Sequence, residues 1–170
     1  MPTPPSVTLE DIMFYDYQIL EITDGSLKKK YTEQVLRLLP EWFGCEESLV
    51  EYVQTVEKYP FFGAFKDEAC VGFFSGVIYH GRTGDIYVCG IHPTHHRKGL
   101  GRALYQTLET YFKAQGCAYI MVKTLSPLHP DKHYALTRKF YEAVGFKDFY
   151  TDHDMWGKEN PCLIMVKNLV

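Results

Sequence analysis

The chain has 170 residues, 46% hydrophobic and 23% charged, the size and balance of one globular domain with a substantial core rather than a disordered segment. With 18 basic against 21 acidic side chains the formal net charge is -3, so nothing supports a nucleic-acid partner, which would call for a strongly basic face. The start, Met1-Pro2-Thr3-Pro4-Pro5, has no apolar stretch behind a basic one, and no apolar run is long enough for a bilayer, so neither a secretory leader nor a membrane partner is expected.

A single domain over 1–170 is expected, with residues 1–12 as a flexible lead. Met13 to Ile22, carrying Phe14, Tyr15 and Tyr17, reads as one strand. Asp24-Gly25-Ser26 ends it and can start a helix, in which Leu27, Tyr31, Val35 and Leu38 recur at helical spacing until Pro40. Lys28-Lys29-Lys30 is expected on the solvated face of that helix. The aromatic link Pro40-Glu41-Trp42-Phe43-Gly44 leads to a second helix, Glu46 to Lys58, with Leu49, Val53 and Val56 on one side. Three strands follow: Phe61 to Phe65, Ala69 to Tyr79 and Asp85 to Ile91. Leu100, Leu104, Leu108 and Tyr111 then repeat at helical spacing until Gly116. Tyr119-Ile120-Met121-Val122 is the continuous apolar run of a strand buried on both faces. Tyr134 to Val144 is a helix with Leu136, Phe140 and Val144 on its stripe. Phe146 to Tyr150 and Leu163 to Val166 close the chain as strands, separated by a polar loop with Trp156. The order predicts a mixed α/β sheet with about four helices. Its three sequential strands should pair antiparallel, and Asp85 to Val122 should be a parallel strand-helix-strand crossover.

The five cysteines (Cys45, Cys70, Cys89, Cys117, Cys162) are odd in number and form no CxxC. Reduced thiols in a cytoplasmic protein are therefore expected, not a disulfide framework. His92, His95 and His96, and His129 with His133, lack metal-site spacing, so no metal is expected.

The segment Ile86-Tyr87-Val88-Cys89-Gly90-Ile91-His92-Pro93-Thr94-His95-His96-Arg97-Lys98-Gly99-Leu100-Gly101-Arg102-Ala103-Leu104 carries the chemistry. A strand ends, a loop turns, and two glycines open a helix whose first N–H groups lack partners. Such a helix start suits phosphate oxygens, with Arg97, Lys98 and Arg102 adding positive charge. Leu104 stands where a dinucleotide fingerprint needs its third glycine, and the Gly-Lys-Ser/Thr of a P-loop is absent. Glycines kept only for helix packing would give the same spacing.

This segment resembles the acetyl-CoA motif of the GNAT superfamily of N-acetyltransferases, Q/R-x-x-G-x-G/A. Gly99 and Gly101 match its glycines, and His96 stands where Gln or Arg is usual. Phe140-Tyr141-Glu142-Ala143-Val144-Gly145-Phe146 resembles the family's later apolar-Tyr-Glu-x-x-Gly-Phe signature. Upstream of it the family often has Asn and Ala, where this chain has Tyr134 and Thr137.

The resemblance implies the GNAT fold and transfer of acetyl from acetyl-CoA, without a metal, to a primary amine by direct attack in a ternary complex. Pantetheine would lie along Cys89-Gly90-Ile91, and the pyrophosphate over His96, Arg97, Lys98, Gly99, Leu100, Gly101, Arg102 and Ala103. Tyr141 would be the general acid, protonated at neutral pH because an ordinary tyrosine pKa is about 10. Asp85 is the candidate base, although a solvated turn position would read the same, and His92 ranks below it. In the resembled fold the acceptor cleft is bordered by the N-terminal helices and the loop before the last strand. Trp42, Phe43 and Trp156 are therefore its candidate contacts, beside Tyr59, Phe61 and Phe62, of which the two phenylalanines read better as core. Glu41, Glu46, Glu47, Asp152 and Asp154 are the acids available there, and an aromatic, acidic cleft would suit a small cationic amine such as an aminoglycoside or polyamine. A protein Lys or N-terminal acetyltransferase and a non-catalytic acetyl-CoA-binding module are the alternatives. A homodimer is expected at family level only.

Overall fold

In the computed structural model, which describes residues 13–170, the elements run β1 (Met13–Phe14), β2 (Tyr17–Glu21), α1 (Gly25–Leu36), α2 (Glu46–Thr55), β3 (Phe61–Lys66), β4 (Ala69–Tyr79), β5 (Thr83–Ile91), α3 (Leu100–Ala114), β6 (Tyr119–Leu125), α4 (Lys132–Ala143), β7 (Lys147–Asp152) and β8 (Cys162–Asn168). Single 3-10 turns lie at Val56–Lys58 and Pro93–His95. The expected lead of residues 1–12 lies outside the described residues. Among those residues no helix is long and apolar enough to cross a membrane.

The strands form one sheet in the order β1-β2-β3-β4-β5-β6-β8-β7. Among the described strands only β5 and β6 pair in parallel, and α3 is the crossover between them. The mixed sheet, the antiparallel β3-β4-β5 meander and the parallel unit thus appear as expected. The last two strands add a feature local patterning does not carry: β8 inserts between β6 and β7.

The stretch expected as one strand from Met13 is two, because Tyr15 turns the chain at φ 54 and β1 folds back on β2. Asp24 caps α1 as expected, its Oδ1 accepting the Leu27 N–H at 2.9 Å. The buried stripe of α1 differs from the expected one. Lys28, Thr32, Val35 and Leu36 face inward, while Leu27 and Leu38 are exposed. Lys28 donates to the carbonyls of Tyr59 (2.5 Å) and Glu57 (3.3 Å), at the end of the turn after α2. A cation over unpaired terminal carbonyls is favourable, and this holds the lysine inside although burial lowers its pKa.

Two apolar layers sandwich the sheet. On one face α3 and α4 bury Leu100, Leu104, Leu108, Phe112 and Tyr141 against Phe74, Ile86 and Ile120. On the other, α1 and α2 bury Val35, Leu36, Leu39 and Leu49 against Phe61, Phe73 and Val88.

The decisive irregularity lies in β5. Ser75 of β4 faces Val88 but Gly76 faces Ile86, so Tyr87 is an extra residue and the strand bends. β5 and β6 pair only from Thr83 to Ile86 against Tyr119 to Val122. Beyond that β5 pairs with β4 alone and β6 with β8 alone, and a gap opens between them.

Candidate active site

A cavity of about 1100 Å³ occupies this gap and is lined from both sheet faces. At one end is the start of α3. Gly99, the residue before the helix, has φ 78, a left-handed conformation in which a side chain is strained, and Arg97 two residues earlier has φ 59. Among the described residues no side chain caps the helix, and its first turn holds no acid, so its leading N–H groups have no side-chain partner there. An added Cβ on Gly101 would meet nothing nearer than Phe140 at 3.5 Å, so packing alone does not require glycine there. Arg97, Gly99, Leu100, Gly101 and Arg102 line the cavity. Lys98 and Ala103 are not part of its wall; Lys98 is exposed and Ala103 packs against the core. Arg102 also donates to the Ala143 carbonyl at 3.0 Å, tying this turn to α4. These features fit a polyanion better than a helix start built for packing.

His96 turns back into its own loop. Its Nε2 lies 2.6 Å from the Ile91 carbonyl, at the end of β5. His92 is likewise local, its Nδ1 accepting from the backbone of Thr94 at 3.2 Å.

At mid-gap, Cys89, Gly90 and Ile91 line the cavity from β5. Gly90 has its own packing reason, because a Cβ there would sit 2.9 Å from Leu39. Tyr141 projects from α4 and is 5% exposed, its hydroxyl 3.7 Å from the Cys89 sulfur. Burial pushes the Tyr141 phenol well above its ordinary pKa and the Cys89 thiol up to about 11. Both are neutral at physiological pH, and a proton donor stands within reach of a sulfur at the gap.

Asp85 is no solvated turn residue: it is 2% exposed. Its Oδ2 accepts from Lys123 Nζ at 2.9 Å and from the Tyr79 hydroxyl at 3.2 Å, while its Oδ1 is buried without a partner among the described residues. Burial pushes the carboxyl pKa up, opposed by the Lys123 ammonium. Burial alone would lower Lys123, and Asp85 more than offsets it. The carboxylate is thus engaged on one oxygen and sealed on the other.

On the α1–α2 face, Trp42 and Phe43 line the cavity with Tyr52 and Tyr87, and Trp156 lines it from the loop before β8. Phe61 and Phe62 are core, and Tyr59 packs edge-on behind Tyr87 without reaching the cavity wall. None of the five acids expected near the cleft lines it. Glu46 pairs with Arg37 at 2.9 Å, and Asp152 accepts the backbone N–H groups of Asp154 and Met155. Trp42 is fastened to α4: its indole N–H donates to Thr137 Oγ1 at 2.9 Å, and its carbonyl accepts the Tyr134 hydroxyl at 3.0 Å. Its ring also meets those of His133 and His96 edge-on.

Residues 18–146 match the acetyltransferase (GNAT) family, a span that includes both the β5–α3 turn and the Phe140–Phe146 signature. The chain belongs to the GNAT acetyltransferase family. It is an acyltransferase of that fold. No curated protein matches it significantly. A GNAT-family protein from Desulfovibrio desulfuricans superposes with TM-score 0.78 at 18% identity, over 91% of this chain and 99% of that one. An aminoglycoside 6'-N-acetyltransferase complexed with coenzyme A gives 0.70 at 20%, over 89% and 97%. A ribosomal-protein alanine N-acetyltransferase from Escherichia coli gives 0.68 at 17%, over 90% and 94%. These likenesses show the GNAT fold, and their acceptors differ from one another.

Within the GNAT pattern, Tyr134 and Thr137 acquire a reason. Where the family often has Asn and Ala, this chain has the two side chains that hold Trp42. Tyr52, Tyr87, Lys123 and Glu51 also line the cavity, and sequence reading passed over them. Lys123 carried a signal, a charge directly after the buried run Tyr119 to Val122. Tyr52 carried none, because an aromatic on an amphipathic helix reads as core.

Proposed function

We propose that the chain transfers acetyl from acetyl-CoA to a primary amine of a small molecule, by direct attack with both substrates bound. The observation that carries this reading is the cavity through the parted β5 and β6. It has an uncapped, arginine-flanked helix start at one end, an aromatic pocket at the other, and a protonated Tyr141 at the join.

Acetyl-CoA supplies the thioester that is cleaved. The N–H groups opening α3, with Arg97 and Arg102, would hold its pyrophosphate, and the free edge of β5 at Cys89–Ile91 would pair with its pantetheine arm. As the amine nitrogen bonds to the thioester carbon, the carbon–sulfur bond breaks. Tyr141 gives its proton to the departing sulfur, and the proton lost by the amine restores the phenol through solvent. Held by two donors, Asp85 acts as a fixed counter-charge that positions Lys123 rather than as the base. The aromatic lining by Trp42, Phe43 and Trp156 supports a small acceptor with apolar surface over a protein chain.

Calorimetry with acetyl-CoA and CoA, followed by free-thiol release across amines, tests the reading. Saturable binding of both, and amine-dependent thiol release, are expected. No binding of either overturns it.

A further inference from the structure

The cavity wall is uneven in charge. Among the described residues, its cationic side chains without an anionic partner, Arg97, Arg102 and Lys139, belong to the turn, α3 and α4. The opposite, α2-facing end is built of rings: Phe43 meets Tyr52 edge-on (5.9 Å between centroids), and Tyr52 meets Tyr87 (5.3 Å). Among the described residues, two carboxylates line the cavity. Asp85 is neutralised by Lys123, which leaves Glu51.

Taking an ammonium out of water is costly unless an opposite charge or a strong acceptor meets it. Among the described residues, a polycation seated here would find one unneutralised carboxylate, Glu51, for its several charges. A flat apolar body can pack against these rings, and aromatic side chains also tolerate a single cation. Resting on the acetyl-transfer reading above, we propose that the acceptor is a monocationic amine with an aromatic body, an arylalkylamine, and not an aminoglycoside or polyamine.

The test is thiol release by the full chain with acetyl-CoA and phenethylamine, tyramine, propylamine, spermidine, kanamycin or an alanine-started peptide. The arylalkylamines should exceed the others in kcat/KM by about tenfold or more, the discrimination a well-fitted apolar pocket supplies. Tyr52→Leu should bring phenethylamine down towards propylamine. Calorimetry on the same variant should show unchanged acetyl-CoA affinity, which establishes that it is folded. Preference for spermidine, kanamycin or the peptide, or equal rates for phenethylamine and propylamine, overturns the arylalkylamine class while acetyl transfer stands. Absence of thiol release with every amine, despite acetyl-CoA binding, overturns both.

Discussion

Tyr141 shows how one side chain acquires its proposed role from its surroundings. On α4 it is an aromatic at an amphipathic position, as core residues are; in the fold its hydroxyl reaches the parted strands and meets the Cys89 sulfur. Burial holds the phenol protonated well above its ordinary range, so it contributes no ionisation to the rate near neutral pH. Tyr141→Phe keeps the ring and removes the donor. Turnover should fall by about 10²- to 10⁴-fold, the usual contribution of a positioned acid, while calorimetry shows acetyl-CoA affinity nearly unchanged. Unaltered turnover would take Tyr141 out of the reaction. Lys28 makes the converse point, since three consecutive lysines read as a solvated run and one of them is buried over carbonyls contributed from beyond α2.

At the scale of elements, the link between α1 and α2 is held to α4 through Trp42. Its two hydrogen bonds cross 95 and 92 residues of sequence, so the proposed acceptor wall and the helix carrying Tyr141 are positioned together. Thr137→Val conserves shape and leaves the indole N–H of Trp42 without its acceptor. Losing such a bond costs on the order of 1 kcal/mol, enough to loosen the link without unfolding the protein. With Trp156→Phe as background, Trp42 is the remaining tryptophan. Its emission should shift to the red in the Thr137→Val protein, and KM for the acceptor should rise while acetyl-CoA affinity holds. Identical emission and KM would show that the fastening has no part in acceptor binding.

Over the whole molecule, the last strand is pinned to α3 and to the end of α4. Lys167 of β8 bridges Glu109 of α3 at 3.1 Å and the carbonyl of Val144, just past α4, at 2.8 Å. Burial alone would raise the Glu109 pKa, but Lys167 and Lys113 more than offset it and hold it below its ordinary 4.5. A carboxyl depressed in the folded state stabilises above its unfolded pKa, and that stability is lost as pH falls through the folded value. Glu109→Gln should therefore lower Tm by a few degrees at pH 7, roughly the shift for about 1 kcal/mol in a domain of this size. The difference from wild type should shrink as pH falls through and below 4.5. A gap that persists undiminished in acid would assign the loss to packing instead of charge.

Much of this was legible along the chain because it depends on local chemistry. Apolar periodicity marks the helices and strands, Asp24 caps α1, and the order of elements dictates a mixed sheet with one parallel crossover. The Gly99–Gly101 spacing marks an uncapped helix start, and the Phe140–Phe146 resemblance singles out Tyr141. Only the tertiary structure decided the rest. The extra residue at Tyr87 parts β5 from β6, Asp85 is sealed against Lys123, and Tyr134 and Thr137 hold Trp42 over the gap. The physical reason is the range of the forces involved. Propensity and capping act between neighbours in sequence, whereas a cleft, an ion pair and an aromatic wall exist only when distant segments meet.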